Sequence, residues 1–287
     1  MQNLYIILKN NTDDTSFKLL EQSAKKKAIN TIPIFSESYD FSKKIEFKPG
    51  DLMYRIATSD RSALLEKLLI NNIVTTFYSD LTSCVGKLDN VVEATILQEK
   101  SNLPIIKTIF SLTNDKKLLE QHSTILGGFP LIIKAVGGSH GVGIMKVDSL
   151  SSLFSVIDYL SKQNDSYILR QFIDYKAHAR LIVLGDKVVA SIEYSRRDND
   201  IRSNVGKELS VSDRKFDKNI EEIAIEATKV LGFEFSGVDI LIDKNGDPHI
   251  AEVNFPCFFP RAQNQTNIEV SDLMVDYLVN KSKSSIV

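Results

Sequence analysis

The stretch GVDILIDKNGDPHIAEVNFP, residues 237–256, constrains the fold of this chain more than any other. It contains two apolar runs joined by Asn245 and Gly246, and this dipeptide is a strong signal for a two-residue hairpin loop. Both central positions of a type I′ turn need positive φ, which Asn and Gly tolerate. Such a loop pairs Lys244 with Asp247. The sequence therefore predicts an antiparallel hairpin whose register can be counted back from the turn.

Three side chains with oxygen donors fall on one face of this predicted hairpin. The register places Asp239 opposite Glu252, and Asn254 follows two residues later on the same face. Adjacent carboxylates repel each other unless a cation lies between them, and oxygen ligands suit Mg²⁺, which keeps its other positions for water and phosphate oxygens. The sequence predicts a magnesium site here. The alternative is an exposed acidic face, which the apolar flanks GVDILI and HIAEVNF disfavour.

Composition narrows the classes of partner. The 287 residues suffice for about two or three domains. Lys and Arg number 35 against 37 Asp and Glu, so no bulk charge favours nucleic acid or an anionic membrane, and any phosphate site must be local. Cys84 and Cys257 have no metal-binding spacing, which fits a reducing compartment. No apolar run approaches the ~18 residues of a membrane span or resembles a signal peptide. We expect a cytoplasmic protein.

The first eighty residues alternate as an open α/β unit resembling half of a Rossmann fold. No glycine-rich turn follows its first strand, so nothing indicates dinucleotide binding. The polar stretch SDLTSCVGKLDN marks the boundary to the next unit. We predict strands at 4–8, 32–35, 51–56 and 73–77, and helices at 15–27, capped by Thr15 or Ser16, and at 62–70.

From about residue 89 the pattern changes to antiparallel strands and longer helices. A strand pair turns on Gly185-Asp186, and a polar loop follows it. We predict helices at 89–100, 114–123, 150–160, 219–231 and 268–280, and strands at 104–110, 130–136, 144–147, 167–173 and 179–194.

The glycine loop GGSHGVG is the second chemically informative stretch. Gly137, Gly138, Gly141 and Gly143 leave backbone N–H groups free to approach an anion, and Lys134 in the preceding strand adds a positive charge. The loop matches neither a Walker A motif nor GxGxxG. It predicts a lid over phosphates, with a flexible surface hairpin as the alternative.

The loop SRRDNDIRSN is rich in arginine. Arg202 and Asn204, two apart in an extended segment, would face the same way. An arginine here would neutralise charge that develops in phosphoryl transfer, whereas a solvated loop is the alternative. His122, His140, His178 and His249 show no metal-binding spacing, and no nucleophilic triad is assembled in the sequence.

Together these motifs resemble the ATP-grasp superfamily, and specifically its RimK-like carboxylate-amine ligases. The resemblance runs from about residue 87 to 280 and rests on LIIKAVGGSHGVGI, on ARLIVLGDKVVASIEY followed by DIRSN, and on GVDIL followed by AEVNFP. It implies an α/β (α+β) ATP-grasp fold with three parts: an N-terminal Rossmann-like domain at 1–86, a central lid subdomain at 87–172 and a C-terminal subdomain at 173–287. ATP would lie between the last two.

The resemblance also implies roles for individual residues. Asp239, Glu252 and Asn254 would hold two Mg²⁺ ions, with Mn²⁺ as a substitute, and Lys134, Arg202 and Asn204 would be catalytic. LRQFI resembles the hinge that binds adenine, although Gln171 stands where the family has Glu and His178 where it has Asp. Nucleotide contacts are implied for Lys87, Lys134, Gly137, Gly138, Ser139, His140, Gly141, Gly143, Arg170, Gln171, Phe172, Ile173 and Arg180.

The implied activity is ATP-dependent amide formation through an acyl phosphate. The product would join an amino acid, such as glutamate, to a peptide, protein or small acid, and the enzyme would be a homo-oligomer, either a dimer or a tetramer. The alternatives are a peptide-modifying ligase that forms side-chain amides or esters, a non-catalytic ATP-binding regulator, and a kinase. Arg55 and Arg261 are candidates to contact the acid or amine, because basic groups suit carboxylates, or else are structural.

Overall fold

The computed structural model describes residues 2–79, 93, 96, 97, 100–111, 113–136, 143–163, 165–196 and 210–284. Three β-sheets organise these residues, one parallel and two antiparallel. They follow one another along the chain.

The N-terminal sheet is parallel, with strand order β2-β1-β3. Its central strand is almost wholly buried. The predicted strand at 73–77 is wrong, because only Thr75 bridges to Leu52 there. The first helix is capped by Asp14 rather than Thr15 or Ser16, since its carboxylate accepts the N–H groups of Ser16 and Phe17 at 2.7 and 3.2 Å. The elements are β1 (Asn3–Leu8), α1 (Thr15–Lys26), β2 (Asn30–Phe35), β3 (Leu52–Arg55) and α2 (Asp60–Leu69).

The central sheet is antiparallel, with order β4-β7-β5-β6. Its first strand begins at Thr108, later than predicted, because Ile105 instead bridges to Ile250 of the C-terminal sheet. Two helices cover one face of it and share its apolar core. The elements are β4 (Thr108–Ser111), α3 (Lys116–Ile125), β5 (Leu131–Ala135), β6 (Ile144–Val147), α4 (Leu150–Lys162) and β7 (Tyr167–Gln171).

The C-terminal sheet has order β10-β9-β8-β11-β12. The predicted turn at Gly185 is confirmed, with φ at +62°, and so is the helix stop at Gly232, where φ is +76°. A short helix at Pro260–Thr266 was not predicted. The elements are β8 (Tyr175–Leu184), β9 (Lys187–Tyr194), β10 (Val211–Asp213), α5 (Lys218–Val230), β11 (Phe235–Asp243), β12 (Pro248–Asn254), α6 (Pro260–Thr266) and α7 (Val270–Ser284).

The apolar core shows how the sheets are joined. One cluster runs from Ile6 of β1 through Ile182 of β8 and Phe235 of β11 to Met274 of α7. The N-terminal sheet and the C-terminal sheet therefore share a core. The central sheet has a separate core around Leu131 of β5, packed on α3 and α4. Domain boundaries at 86/87 and 172/173 stay predictions.

The β11–β12 hairpin forms, but the predicted turn type is wrong. Asp243 N–H bonds to the carbonyl of Asp247, which leaves a three-residue loop. Gly246 has φ of +100°, whereas Asn245 is not among the residues with positive φ. The reason is local: the carboxylate of Asp243 accepts the N–H groups of Asn245, Gly246 and Asp247 at 2.9, 3.0 and 2.9 Å. This side-chain turn competes successfully with the type I′ turn.

Candidate active site

Although the turn differs from the prediction, the β11–β12 register at the predicted metal ligands is the predicted one. Asp239 pairs with Glu252, while the next pair towards the turn is Ile240 with Ile250. Ala251 is therefore an extra residue in β12, a β-bulge that offsets the extra residue of the loop. Because the side-chain period of a strand is two, this compensation keeps both carboxylates on one face.

Asp239 is buried, with 1% of its surface exposed. Arg180, its cross-strand partner on β8, donates from Nε to Oδ1 at 2.7 Å and from Nη2 to Oδ2 at 2.5 Å. His178 Nε2 lies 3.6 Å from Oδ1. Burial alone raises the pKa of Asp239, but Arg180 and His178 outweigh it and hold that pKa well below its usual range. Asp239 is therefore an anion in the folded protein.

Glu252 forms an ion pair with a residue of another sheet. Its Oε1 lies 3.6 Å from Nζ of Lys134, which is on β5 of the central sheet. The third oxygen-donor residue, Asn254, donates from its amide to the Gly237 carbonyl at 3.3 Å and approaches Oδ2 of Asp239 at 3.5 Å. The three predicted ligands thus lie next to one another on β11 and β12.

Glu93 is a site residue that the sequence did not reveal. It is 5% exposed, and its carboxylate accepts the N–H of Val253 at 2.7 Å. Burial, reinforced by the charge of Glu252, raises the pKa of Glu93 to about 8. A lone carboxylate in the apolar run VVEATIL was the available signal, because a buried acid in such a run needs a partner.

Arg170 completes the support of β12, which is the edge strand of its sheet. Its Nη1 donates to the Ala251 carbonyl at 2.8 Å, and its Nε donates to Oγ1 of Thr108 at 3.0 Å. Burial lowers the pKa of Arg170, against the opposing effect of the nearby Glu93 and Glu252 carboxylates. The bulge and its neighbour Val253 are therefore held by a cation and an acid across the sheet edge.

A pocket lies between the central and C-terminal sheets. Its walls are mostly apolar, and one end carries the charged residues Lys134, Asp239 and Glu252. The backbone segment 171–173, which connects the two sheets, lies along it. The lining residues are Ile106, Ile132, Lys134, Ile144, Arg170, Gln171, Phe172, Ile173, Tyr175, His178, Asp239, Leu241, Ala251 and Glu252.

The remaining predicted site residues fall into two groups. Arg180 and Asn254 contact Asp239 without lining the pocket, and Gly143 precedes β6 with φ of +88°. The others lie outside the described residues: Lys87, Gly137, Gly138, Ser139, His140, Gly141, Arg202 and Asn204.

Comparison with known proteins gives the family. The family model for the RimK-like ATP-grasp domain matches residues 89–278, which include the pocket and both of its sheets. The chain belongs to the RimK-like ATP-grasp family. The predicted family and the predicted fold class are therefore confirmed.

Relatives of this ATP-grasp chain include named ligases. It is 30% identical over 192 residues to a probable alpha-L-glutamate ligase of Legionella pneumophila, covering 65% of this chain. The match spans 62% of that relative's length. The alpha-aminoadipate–LysW ligase LysX of Saccharolobus solfataricus is 26% identical over 266 residues, covering 90% of this chain and 95% of LysX.

A solved structure extends the likeness to nearly the whole chain. The ATP-grasp ligase PsnB, complexed with its minimal precursor, superposes with a TM-score of 0.75 at 14% identity, covering 96% of this chain and 98% of PsnB. At that identity the likeness concerns the ATP-grasp fold. No helix in the described part of the chain is long and apolar enough to span a membrane.

The donor set of this ATP-grasp chain fits Mg²⁺. No group of three His, Cys, Asp or Glu side chains is placed to hold a metal among the described residues. Asp239 and Glu252 are two carboxylates on one face, and Asn254 lies beside them with its amide nitrogen directed at Asp239, so rotation of the amide would bring its oxygen into the set as a third hard donor. Because Mg²⁺ keeps several waters or phosphate oxygens, so small a protein set suffices.

The two arginines proposed to contact substrate differ in the structure. Arg55 is 1% exposed and donates from Nε to Oε2 of Glu66 at 2.6 Å. The hydroxyl of Tyr78 donates to the same oxygen at 2.8 Å. Arg55 is therefore part of a buried network within the core. Arg261, by contrast, is partly exposed.

Cys257 has the properties of an inert thiol. It is 4% exposed, and burial raises its pKa to about 12. Its Sγ lies against Gly237, where an added Cβ would come within 2.4 Å. The thiol therefore fills space beneath β11.

Proposed function

We propose that this protein is an ATP-dependent carboxylate-amine ligase that forms an amide through an acyl phosphate. One observation carries the proposal: a single pocket is lined both by the segment 171–173, which connects the two sheets, and by the charged residues Lys134, Asp239 and Glu252. An apolar slot beside backbone polar groups suits a purine base, and the charged side chains suit its phosphates. Both named ligase relatives support the same reading.

The nucleotide would lie along this pocket. Ile132, Ile144 and Leu241 would enclose the base, and Phe172 would offer backbone groups to its edge. Lys134 would move from Glu252 to a phosphate oxygen, since the 3.6 Å ion pair is loose and the new partner carries more charge. Asp239, Glu252 and Asn254 would hold Mg²⁺, which supplies charge neutralisation for phosphoryl transfer when bound.

The chemistry needs no protein nucleophile. A carboxylate oxygen of the first substrate attacks the γ-phosphorus of ATP, and the bond to the β-γ bridging oxygen breaks, releasing ADP. The amine of the second substrate then attacks the acyl carbon, the carbon–oxygen bond to phosphate breaks, and the nitrogen loses a proton. Phosphate and an amide are the products. The protein contributes position and charge, from Lys134 and from Arg202 in the segment after β9.

The substrates we propose are an amino acid such as glutamate and a carboxylate on a peptide, protein or small acid. The names of the relatives favour this class, since one is named a probable alpha-L-glutamate ligase and the other an alpha-aminoadipate–LysW ligase. ATP with Mg²⁺ would be the energy source. We also propose that the protein acts in the cytoplasm, as a homo-oligomer, without a nucleic-acid partner.

The test is release of ADP and phosphate by the purified protein with Mg-ATP over a panel of amino acids and acidic peptides. Release of both products in equal amounts, dependent on an acid and an amine and abolished in Glu252→Ala, is expected. Lys162→Ala, at an exposed position on α4, is the control that retains activity. ADP without free phosphate would indicate a kinase, and nucleotide binding without turnover on any pair would indicate a regulator; either result rejects the proposal.

A further inference from the structure

Three side chains in contact connect the site to Arg261. The ring of Tyr194 contacts two guanidinium groups: Cζ of Arg180 is 5.7 Å from its centroid and Cζ of Arg261 is 5.9 Å away. Arg180 in turn holds both oxygens of Asp239, at the charged end of the pocket. Arg261 is therefore linked to the reaction centre through one ring and one ion pair.

Arg261 differs from the arginines that are paired with a carboxylate. It forms no ion pair with Asp or Glu among the described residues, and its one hydrogen bond to a side chain runs from Nη1 to the Tyr194 hydroxyl at 3.4 Å. Most of its donors are thus available. Arginines with a carboxylate partner are Arg55 with Glu66, Arg180 with Asp239, Arg196 with Asp174 and Arg214 with Glu193.

The surroundings of Arg261 are those of a binding surface. Its Cζ also lies 5.9 Å from the ring of Phe258, which is 47% exposed. Two aromatic rings hold the guanidinium plane and lower the entropy lost when it binds a ligand. An exposed ring beside a partly exposed arginine offers apolar contact for a short aliphatic stem and a fork of donors for an anion.

We propose that Arg261, with Tyr194 and Phe258, binds the non-reacting carboxylate of an amino-acid substrate. A guanidinium fork matches a carboxylate through two parallel hydrogen bonds. The reacting carboxylate is excluded as its ligand, because a strong ion pair there would oppose attack on phosphorus. The substrate class is therefore an amino acid, free or at a peptide terminus, that keeps one carboxylate while it reacts. This inference rests on the proposed function.

Steady-state kinetics with L-glutamate as probe test it, alongside two analogues that lack one charge: isoglutamine, the α-amide, and glutamine, the γ-amide. In Arg261→Gln the KM for glutamate should rise roughly 10- to 100-fold, the worth of a charge-assisted pair, with KM for ATP unchanged. The amide analogue that lacks the carboxylate bound by Arg261 should show the same KM in wild type and variant, so this analogue identifies the bound carboxylate. Arg261→Lys should recover part of the loss. A glutamyl dipeptide as substrate tests whether the subsite takes a free amino acid or one at a peptide terminus.

Arg214→Gln is the matched control, since Arg214 also stacks on a ring, Phe216 at 5.0 Å, but is already paired. The inference is rejected if Arg261→Gln leaves the KM for glutamate unchanged, or if it raises the KM values for both amide analogues equally. It is also rejected if neither glutamate nor the dipeptide saturates the wild-type protein. Those results leave acid- and amine-dependent ATP cleavage intact. Absence of any cleavage by wild type rejects the proposed function instead, and equilibrium titration of glutamate into wild type and Arg261→Gln then decides the Arg261 subsite alone.

Discussion

Lys134 and Glu252 form an ion pair between two sheets: Nζ on β5 of the central sheet lies 3.6 Å from Oε1 on β12 of the C-terminal sheet. The side chains are 12% and 34% exposed, respectively, so the lysine is the more deeply placed partner. A positive group at this position compensates the charge of Glu252. The two sheets are thus joined electrostatically at the charged end of the pocket.

Lys134→Met is therefore expected to weaken nucleotide binding more than folding. Methionine keeps the stem volume, whereas the loss of the cation removes the proposed phosphate contact and leaves Glu252 without compensation. We expect KM for ATP to rise at least about 10-fold, with the melting temperature changed by only a few degrees. Lys162→Met serves as the control. An unchanged KM would show that Lys134 does not touch ATP.

Removing only one partner of the Arg180–Asp239 ion pair is expected to destabilise the protein strongly. The side chains are only 12% and 2% exposed, so the remaining partner would keep an uncompensated charge away from water. Arg180→Met or Asp239→Asn should each lower the free energy of unfolding by about 3–5 kcal/mol. The double variant should lose less than the sum of the single changes. Urea denaturation of all four proteins measures this coupling, and strict additivity would contradict it.

The hairpin shows what the sequence could and could not predict. The two apolar runs around Asn245-Gly246 were enough for the strands, and counting back from an assumed two-residue turn gave the pairing of Asp239 with Glu252. The turn was mispredicted, because the Asp243 side chain folds the loop around itself. The pairing survived because a bulge at Ala251 added a second, compensating residue. Periodicity specifies faces, but bulges depend on tertiary contacts such as that from Arg170 to the Ala251 carbonyl.

Charged residues distant in sequence were harder to place. Arg55 and Arg261 looked alike as candidate substrate contacts, and only packing distinguishes the buried partner of Glu66 from the partly exposed arginine on Tyr194. Glu93 escaped notice although it is a lone acid in an apolar run, because its partner is a backbone N–H, which the sequence does not single out. Composition locates chemistry along the chain, whereas burial decides which charges are structural.

Glu93 is expected to act through the strand that carries Glu252. In Glu93→Gln the amide oxygen can still accept the Val253 N–H. The substitution also changes little charge, because the raised pKa of about 8 keeps the Glu93 carboxyl mostly neutral at pH 7. Glu93→Ala leaves that N–H without this partner and should cost about 1–3 kcal/mol of stability. Chemical denaturation and kcat of both variants test this. Equal losses in the two variants would show that charge, rather than hydrogen bonding, is what Glu93 supplies.

Cys257→Ala is expected to compensate for the damage caused by Gly237→Ala. A Cβ at Gly237 would lie 2.4 Å from Sγ of Cys257, and the thiol is buried, so Gly237→Ala forces β11 or the thiol to move. Because Gly237 pairs with Asn254, that shift reaches the predicted metal ligands. We expect Gly237→Ala to lose about 1–3 kcal/mol of stability together with ATP turnover. Cys257→Ala removes the sulfur and should restore most of both losses in the double variant, as measured by thermal unfolding and ADP release. A double variant as impaired as Gly237→Ala alone would show that the glycine is needed for its backbone rather than for the space it leaves to the thiol.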